Sequence, residues 1–138
     1  MAKTPVTLKI DGFQEREVKM VTYTFNQQTD SEGQMAGIPR GGKITIRVKA
    51  KNDGNPELLH WMIQQAMPKD GTISFLDTKT NAKMKDIEFK DGYCVDYREY
   101  WEDKTSASDN SDSPHYEEIV ISCREIKNGP VTYTNEWA

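Results

Sequence analysis

The sequence predicts an all-β fold, a closed antiparallel β-barrel of about eight strands with one short α-helix packed on its side or end. Three observations lead there. Apolar and polar residues alternate in one run after another, the period-two signature of half-buried strands. A single stretch carries helical spacing instead. An antiparallel sheet of this size buries its edges best by closing on itself.

Val6, Leu8 and Ile10 share one face of the first strand, and Val21, Tyr23 and Phe25 one face of the second, which starts near Val18. Ile44, Ile46, Val48 and Ala50 alternate with Lys43, Thr45, Arg47 and Lys49 in the third. That charged row has to face away from the core, because unpaired charges are costly to bury. A helix is expected from Asn55 to Met67, with Leu58, Leu59, Met62, Ile63 and Ala66 on its apolar stripe. Asn55 is suited to cap it, Pro56 to open it and Pro68 to end it. Ile73 and Phe75 mark a fourth strand, running to turn-forming residues 77–81, and Ile87 and Phe89 a fifth. Asp91-Gly92 gives a hairpin signal leading into a sixth strand through Val95, Tyr97 and Trp101. Ile119, Ile121 and Cys123 define a seventh, and Val131 and Tyr133 an eighth.

The 138 residues fit a single domain, 1–138, with a modest core. With 36% hydrophobic and 29% charged residues the chain is polar for a globular protein, and subunit contacts commonly supplement a core this thin. A net charge of −4 argues against nucleic acid, which needs clustered Lys and Arg. The start, MAKTPVTLKIDG, lacks the apolar region of a signal peptide, and no apolar run approaches the roughly 18 residues of a membrane span. These features predict cytoplasmic synthesis and no stable membrane insertion. Cys94 and Cys123 lack metal-ligand spacing, and buried reduced thiols are favoured over a disulfide.

No catalytic, cofactor or metal set emerges from the residue types. His60 and His115 have no further ligands at zinc spacing, and DNSDSPHYEE lacks the ordered positions of a calcium loop. Gly41-Gly42 precedes a strand, so it cannot offer helix N–H groups to a phosphate. Glu15, Glu17, Asp96 and Glu99 could pair only through the fold. The acidic, serine-rich segment 102–115 reads as a surface loop. A binding or structural protein is therefore expected, and not an enzyme.

The remaining oddity is FNQQTDSEGQMAGIPRGGKITIRV, whose long polar middle separates two strong strands. Hairpin loops usually hold about two to five residues, and longer ones tend to be functional. Residues 30–41 look too polar to join the core, so their order is expected to come from a neighbour anchored on Met35 and Ile38.

That stretch, together with KMKDIEFKDGYCVDY, EEIVISCREI and the closing TNEWA, resembles the tube protein of type VI secretion. The branch it resembles is the TssD form of the haemolysin-coregulated protein (Hcp) family in Bacteroidetes, in order along nearly the whole chain. The resemblance implies a homo-hexameric ring, stacked into the inner tube of a contractile injector. Sheath, spike and baseplate components and effector proteins are the implied partners, and the ring leaves the cell through the apparatus without a signal peptide. It also implies an inter-ring loop at Asp30, Ser31, Glu32, Gly33, Gln34, Met35, Ile38, Pro39 and Arg40. Lys43, Arg47 and Lys49 would then face the lumen or a neighbour. Segment 102–115 is longer and more acidic than is usual in this branch. The alternative is a monomeric, lipocalin-like barrel for a small apolar ligand.

Overall fold

The computed structural model describes residues 6–37, 40–50, 54–64, 67–77, 79–80, 82–102 and 115–135. Seven strands and one helix follow in the order β1 (Val6–Ile10), β2 (Arg16–Tyr23), β3 (Lys43–Lys49), α1 (Glu57–Ile63), β4 (Lys69–Leu76), β5 (Lys83–Tyr100), β6 (Tyr116–Asn128) and β7 (Val131–Thr134). All pairings are antiparallel, in the order β3-β2-β1-β4-β5-β6, and β3 pairs with β6 to close the barrel. The closing register sets Ile44 opposite Ile121 and Ile46 opposite Ile119. β7 pairs with the last residues of β6, Glu125 opposite Thr134, and continues the lane that β3 occupies further along the same strand.

Period-two alternation decides what fills the barrel. Leu8, Ile10, Ile44, Ile46, Val48, Ile73, Ile87, Phe89, Ile119 and Ile121 are all buried and form one continuous core. Apolar side chains thus occupy the interior that a ligand-binding barrel would keep open. On β3 the inward row is Ile44, Ile46 and Val48, and Lys43, Thr45, Arg47 and Lys49 face outward as expected. Cys94 and Cys123 are free, buried thiols.

Asp91-Gly92 does not turn the chain. β5 is one continuous strand of 18 residues, so the expected fifth and sixth strands are a single element and the strand count among the described residues is seven. Between the pairs Gly71–Phe89 and Lys69–Gly92, β5 advances three residues while β4 advances two, which makes a β-bulge. Asp91 adopts the left-handed conformation at φ 53°, and its N–H donates to Asp70 Oδ1 at 3.0 Å. Gly92 has to lack a side chain there, since a Cβ would sit 2.9 Å from the Phe89 ring. The Asp-Gly chemistry that favours a tight hairpin therefore serves to bend a long strand around the barrel.

The helix is shorter than its sequence signal and uses a different face. α1 covers Glu57–Ile63, Pro56 stands at its N-cap, and no side chain caps it. Leu58 and Trp61 are buried and Met62 is half-buried, whereas Leu59 and Ile63 are exposed; Ala66 lies outside the described residues. Trp61 outcompetes the expected stripe because its ring packs edge-on to Phe13, 5.9 Å between centroids, and its Nε1 donates to Met67 O at 2.8 Å. The helix packs on β5.

The other end of β3 carries a polar network inside the barrel. Arg16 Nη2 donates to Glu117 Oε1 at 2.6 Å and to Lys49 O at 2.8 Å, and Tyr97 Oη donates to Glu117 Oε2 at 2.6 Å. Burial and then the Glu117 carboxylate push the Tyr97 phenol pKa well above its usual range. Of the carboxylates that could have paired, Glu17 binds Lys19 at 3.0 Å and Glu99 binds His115 at 2.7 Å.

Candidate assembly site

Between β2 and β3 the chain leaves the barrel as a narrow arm. Its two sides pair through isolated bridges, Asn26 with Arg40 and Thr29 with Met35. Asn26 N–H donates to Arg40 O at 3.0 Å, Arg40 N–H donates back to Asn26 O at 2.7 Å, and Ala36 N–H donates to Gln28 O at 2.7 Å. At the tip, Asp30 Oδ1 accepts the N–H groups of Glu32 and Gln34, each at 2.9 Å, and Gly33 takes up the positive φ of 85°. The described residues of the arm therefore supply bonds to one another, which the expectation of order from a neighbour did not include. Polarity misled here because the stabilising bonds are backbone bonds and one aspartate turn, which need no apolar partner.

Residues 24–37 are exposed throughout, and Met35 presents an apolar side chain that is 67% exposed. A small aromatic cluster marks the root. The Phe25 ring packs edge-on to Tyr23 at 5.8 Å and to Tyr133 at 4.9 Å, and Asn128 Nδ2 donates to Tyr23 Oη at 2.6 Å. Ile126 and Val131 complete an open apolar groove of about 470 Å³ with these residues. Gly41 permits this arrangement, since a Cβ on it would lie 2.1 Å from the Phe25 ring.

The outward row of β3 forms a second, separate surface. Arg47 donates through Nε and Nη2 to Glu118 Oε1 at 3.2 and 3.0 Å, and its guanidinium lies 4.3 Å from the centre of the Tyr116 ring. Tyr116 in turn stacks on Tyr100, 5.0 Å between centroids. The Tyr100 hydroxyl donates to Glu102, a bond that raises the phenol pKa. A strand of this length spans about 20 Å, so exposed Lys43 stands at the foot of the arm and exposed Lys49 at the far end.

Of the sequence-expected site residues, Asp30, Ser31, Glu32, Gly33, Gln34, Met35 and Arg40 fall on the arm. Ile38 and Pro39 lie outside the described residues. Lys43, Arg47 and Lys49 fall on the barrel wall. Sequence reasoning placed Phe25 on the second strand with Val21 and Tyr23, but β2 ends at Tyr23 and Phe25 lies exposed at the root of the arm. It missed Glu117, whose signal was its phase with Ile119, Ile121 and Cys123.

The family model "Hemolysin coregulated protein Hcp (TssD)" matches residues 2–138. Hcp1 from Flavobacterium johnsoniae, a Bacteroidetes member, is 32% identical and superposes with a TM-score of 0.82, over 95% of this chain and 99% of that one. Hcp1 from Salmonella typhimurium shares the fold at 13% identity and a TM-score of 0.69, over 95% of this chain and 91% of that one. The secreted protein Hcp3 from Pseudomonas aeruginosa does so at 13% identity and a TM-score of 0.58, covering 99% of each. No functionally curated protein matches the sequence. A family match along nearly the full length, on a closed barrel that carries a projecting arm, means that the chain belongs to the haemolysin-coregulated protein (Hcp, TssD) family.

Proposed function

We propose that this chain is the structural subunit of a type VI secretion inner tube. Six copies close into a ring, the rings stack through the arm, and a contractile sheath expels the stack with effectors in its lumen. Family membership supports the tube role, and the projecting arm is the observation that carries the stacking role. A solvated, self-ordered hairpin with an exposed Met35 adds nothing to the core of its own subunit, and is suited to reach across to another. The Lys43, Arg47 and Lys49 row is then a lumen or neighbour-facing surface, where effectors and adjacent subunits meet the barrel wall. The sheath, spike and baseplate are the further partners, and the route out of the cell is the apparatus itself. No helix among the described residues is long and apolar enough to cross a membrane.

Light scattering with negative-stain microscopy tests the ring: six-fold particles are expected, and a strictly monomeric protein would end the proposal. Replacing residues 31–40 by a short Gly-Ser turn tests the arm. The shortened subunit is expected to fold and close into rings, to fail to form tubes when engineered cysteines lock stacked rings, and to lose secretion. Normal stacking and secretion of the shortened protein would reduce the arm to a solvated tether.

A further inference from the structure

We infer that β7 and the Asn135 that follows it form a clasp that sets the direction of the arm, with Asn135 and Tyr133 as its positioning residues. The inference rests on the stacking role proposed for the arm, but its geometry is independent of it. The arm leaves and rejoins the barrel at Phe25 and at Gly41-Gly42, and both points are held by the same short segment, 131–135.

Asn135 makes four bonds at this junction. Its Nδ2 donates to Gly41 O at 3.3 Å and to Cys123 O at 3.0 Å, its backbone N–H donates to Arg124 O at 2.7 Å, and its Oδ1 accepts from Tyr133 Oη at 2.9 Å. The side chain thus ties the returning leg of the arm to β6. Gly42, at φ 102°, has to be glycine for this to occur, because a Cβ there would lie 2.2 Å from Asn135 Nδ2. Tyr133 holds the outgoing leg, since its ring meets Phe25 edge-on at 4.9 Å. The two ends of the arm are therefore contacted by residues two apart, Tyr133 in β7 and Asn135 just after it, and β7 pairs with β6.

Within the arm, the backbone bonds between Asn26 and Arg40 and between Ala36 and Gln28 keep the hairpin intact without fixing where it points. Direction has to come from the root, where Phe25 meets Tyr23 and Tyr133, Gly41 meets Asn135, and Gly42 O accepts from Cys123 N–H at 2.7 Å and Cys123 Sγ at 3.1 Å. A two-point attachment through side chains also explains why a nearly all-polar excursion can be rigidly aimed although it buries almost nothing. Releasing the clasp is expected to free the root, so that the Asn26–Arg40 bridge beside Phe25 and Gly41 opens more often and the hairpin swings.

The test is hydrogen exchange on intact rings of Asn135→Ala and Tyr133→Leu, with Thr132→Ala as the control, since Thr132 is exposed on the opposite face of β7. Amide exchange at Asn26 and Arg40 is expected to rise about tenfold or more in both clasp variants, with β3 amides unchanged. The control should match the parent. Unchanged exchange at Asn26 and Arg40 in both variants overturns the clasp, as does an equal rise in the control. If Asn135→Ala alone fails to fold, Tyr133→Leu decides by the same readout. Stacking of cysteine-locked rings is scored in parallel. A loosened arm with lost stacking supports both readings, whereas a loosened arm with normal stacking keeps the clasp and removes the stacking role of the arm.

Discussion

Cys94 and Cys123 illustrate how a single residue type takes its chemistry from its position. Both lie on inward positions of β5 and β6, and Cys123 Sγ donates to Gly42 O at 3.1 Å. Burial pushes the Cys94 thiol pKa from 9.0 to about 11 and the Cys123 thiol from 9.0 to about 12. Both thiols are therefore protonated and poorly nucleophilic near neutral pH. The same shift predicts an alkaline loss of stability. Below pH 9 the thiols hold their protons in folded and unfolded chains alike; above it the unfolded chain releases them first and binds fewer protons than the folded one, so stability falls until the folded thiols titrate at about 11 to 12. Urea midpoints measured between about pH 8 and pH 10.5 should fall, and should fall less steeply in Cys123→Ala. An identical slope in that variant would count against the assignment. The location of Cys123 was legible from parity, since it is in phase with Ile119 and Ile121, whereas Cys94 is out of phase with the expected Val95 and Tyr97, and a bulge between Cys94 and Asp96 leaves Cys94 buried and Val95 exposed.

At the scale of elements, the helix separates what periodicity can tell from what only packing decides. Trp61 is 1% exposed and Ile63 is 70% exposed, although Ile63 lay on the expected stripe and Trp61 beside it. Trp61→Ala should therefore cost about 3–5 kcal/mol and Ile63→Ala less than about 0.5 kcal/mol, read from urea midpoints. Comparable losses would return the stripe to its expected face. A helix this short covers only two turns, so the position of an apolar residue on its circumference is weakly constrained by spacing and strongly by the one large ring it must bury. The strands were more legible, because a one-residue error in β3 would have put Lys43, Arg47 and Lys49 in the core. Asp91-Gly92 was misread because turn chemistry is local, whereas the choice between a hairpin and a bulge depends on whether β6 lies alongside both halves of β5. The arm was located from its length and glycines, but its internal ladder was not, since backbone bonds leave no side-chain signature.

For the whole molecule the decisive step is closure, because it joins segments far apart in the chain. β3 meets β6 across some seventy intervening residues, Ile46 opposite Ile119, and Arg16 meets Glu117 across a separation of 101. Two successive carboxylates bridge this seam on opposite faces. Glu117 points inward and receives Arg16 and Tyr97, while Arg16 also binds the carbonyl of Lys49, so one buried group links β2, β3, β5 and β6. Glu118 points outward and receives Arg47, in a pair whose side chains are 37% and 22% exposed, against 5% and 10% for Arg16 and Glu117. Solvent screens the outer pair, but a lone Arg16 would remain as an uncompensated charge inside the barrel. Glu117→Ala should therefore cost about 3–5 kcal/mol and Glu118→Ala less than about 1 kcal/mol, measured by urea unfolding at neutral pH. Replacing both inner partners, Arg16→Met with Glu117→Leu, should recover most of the loss, because the cost lies in the stranded charge and not in the absence of the ion pair. If the double variant is as unstable as Glu117→Ala, the network is required for closure itself, and the polar end of the barrel is a specific lock between its strands.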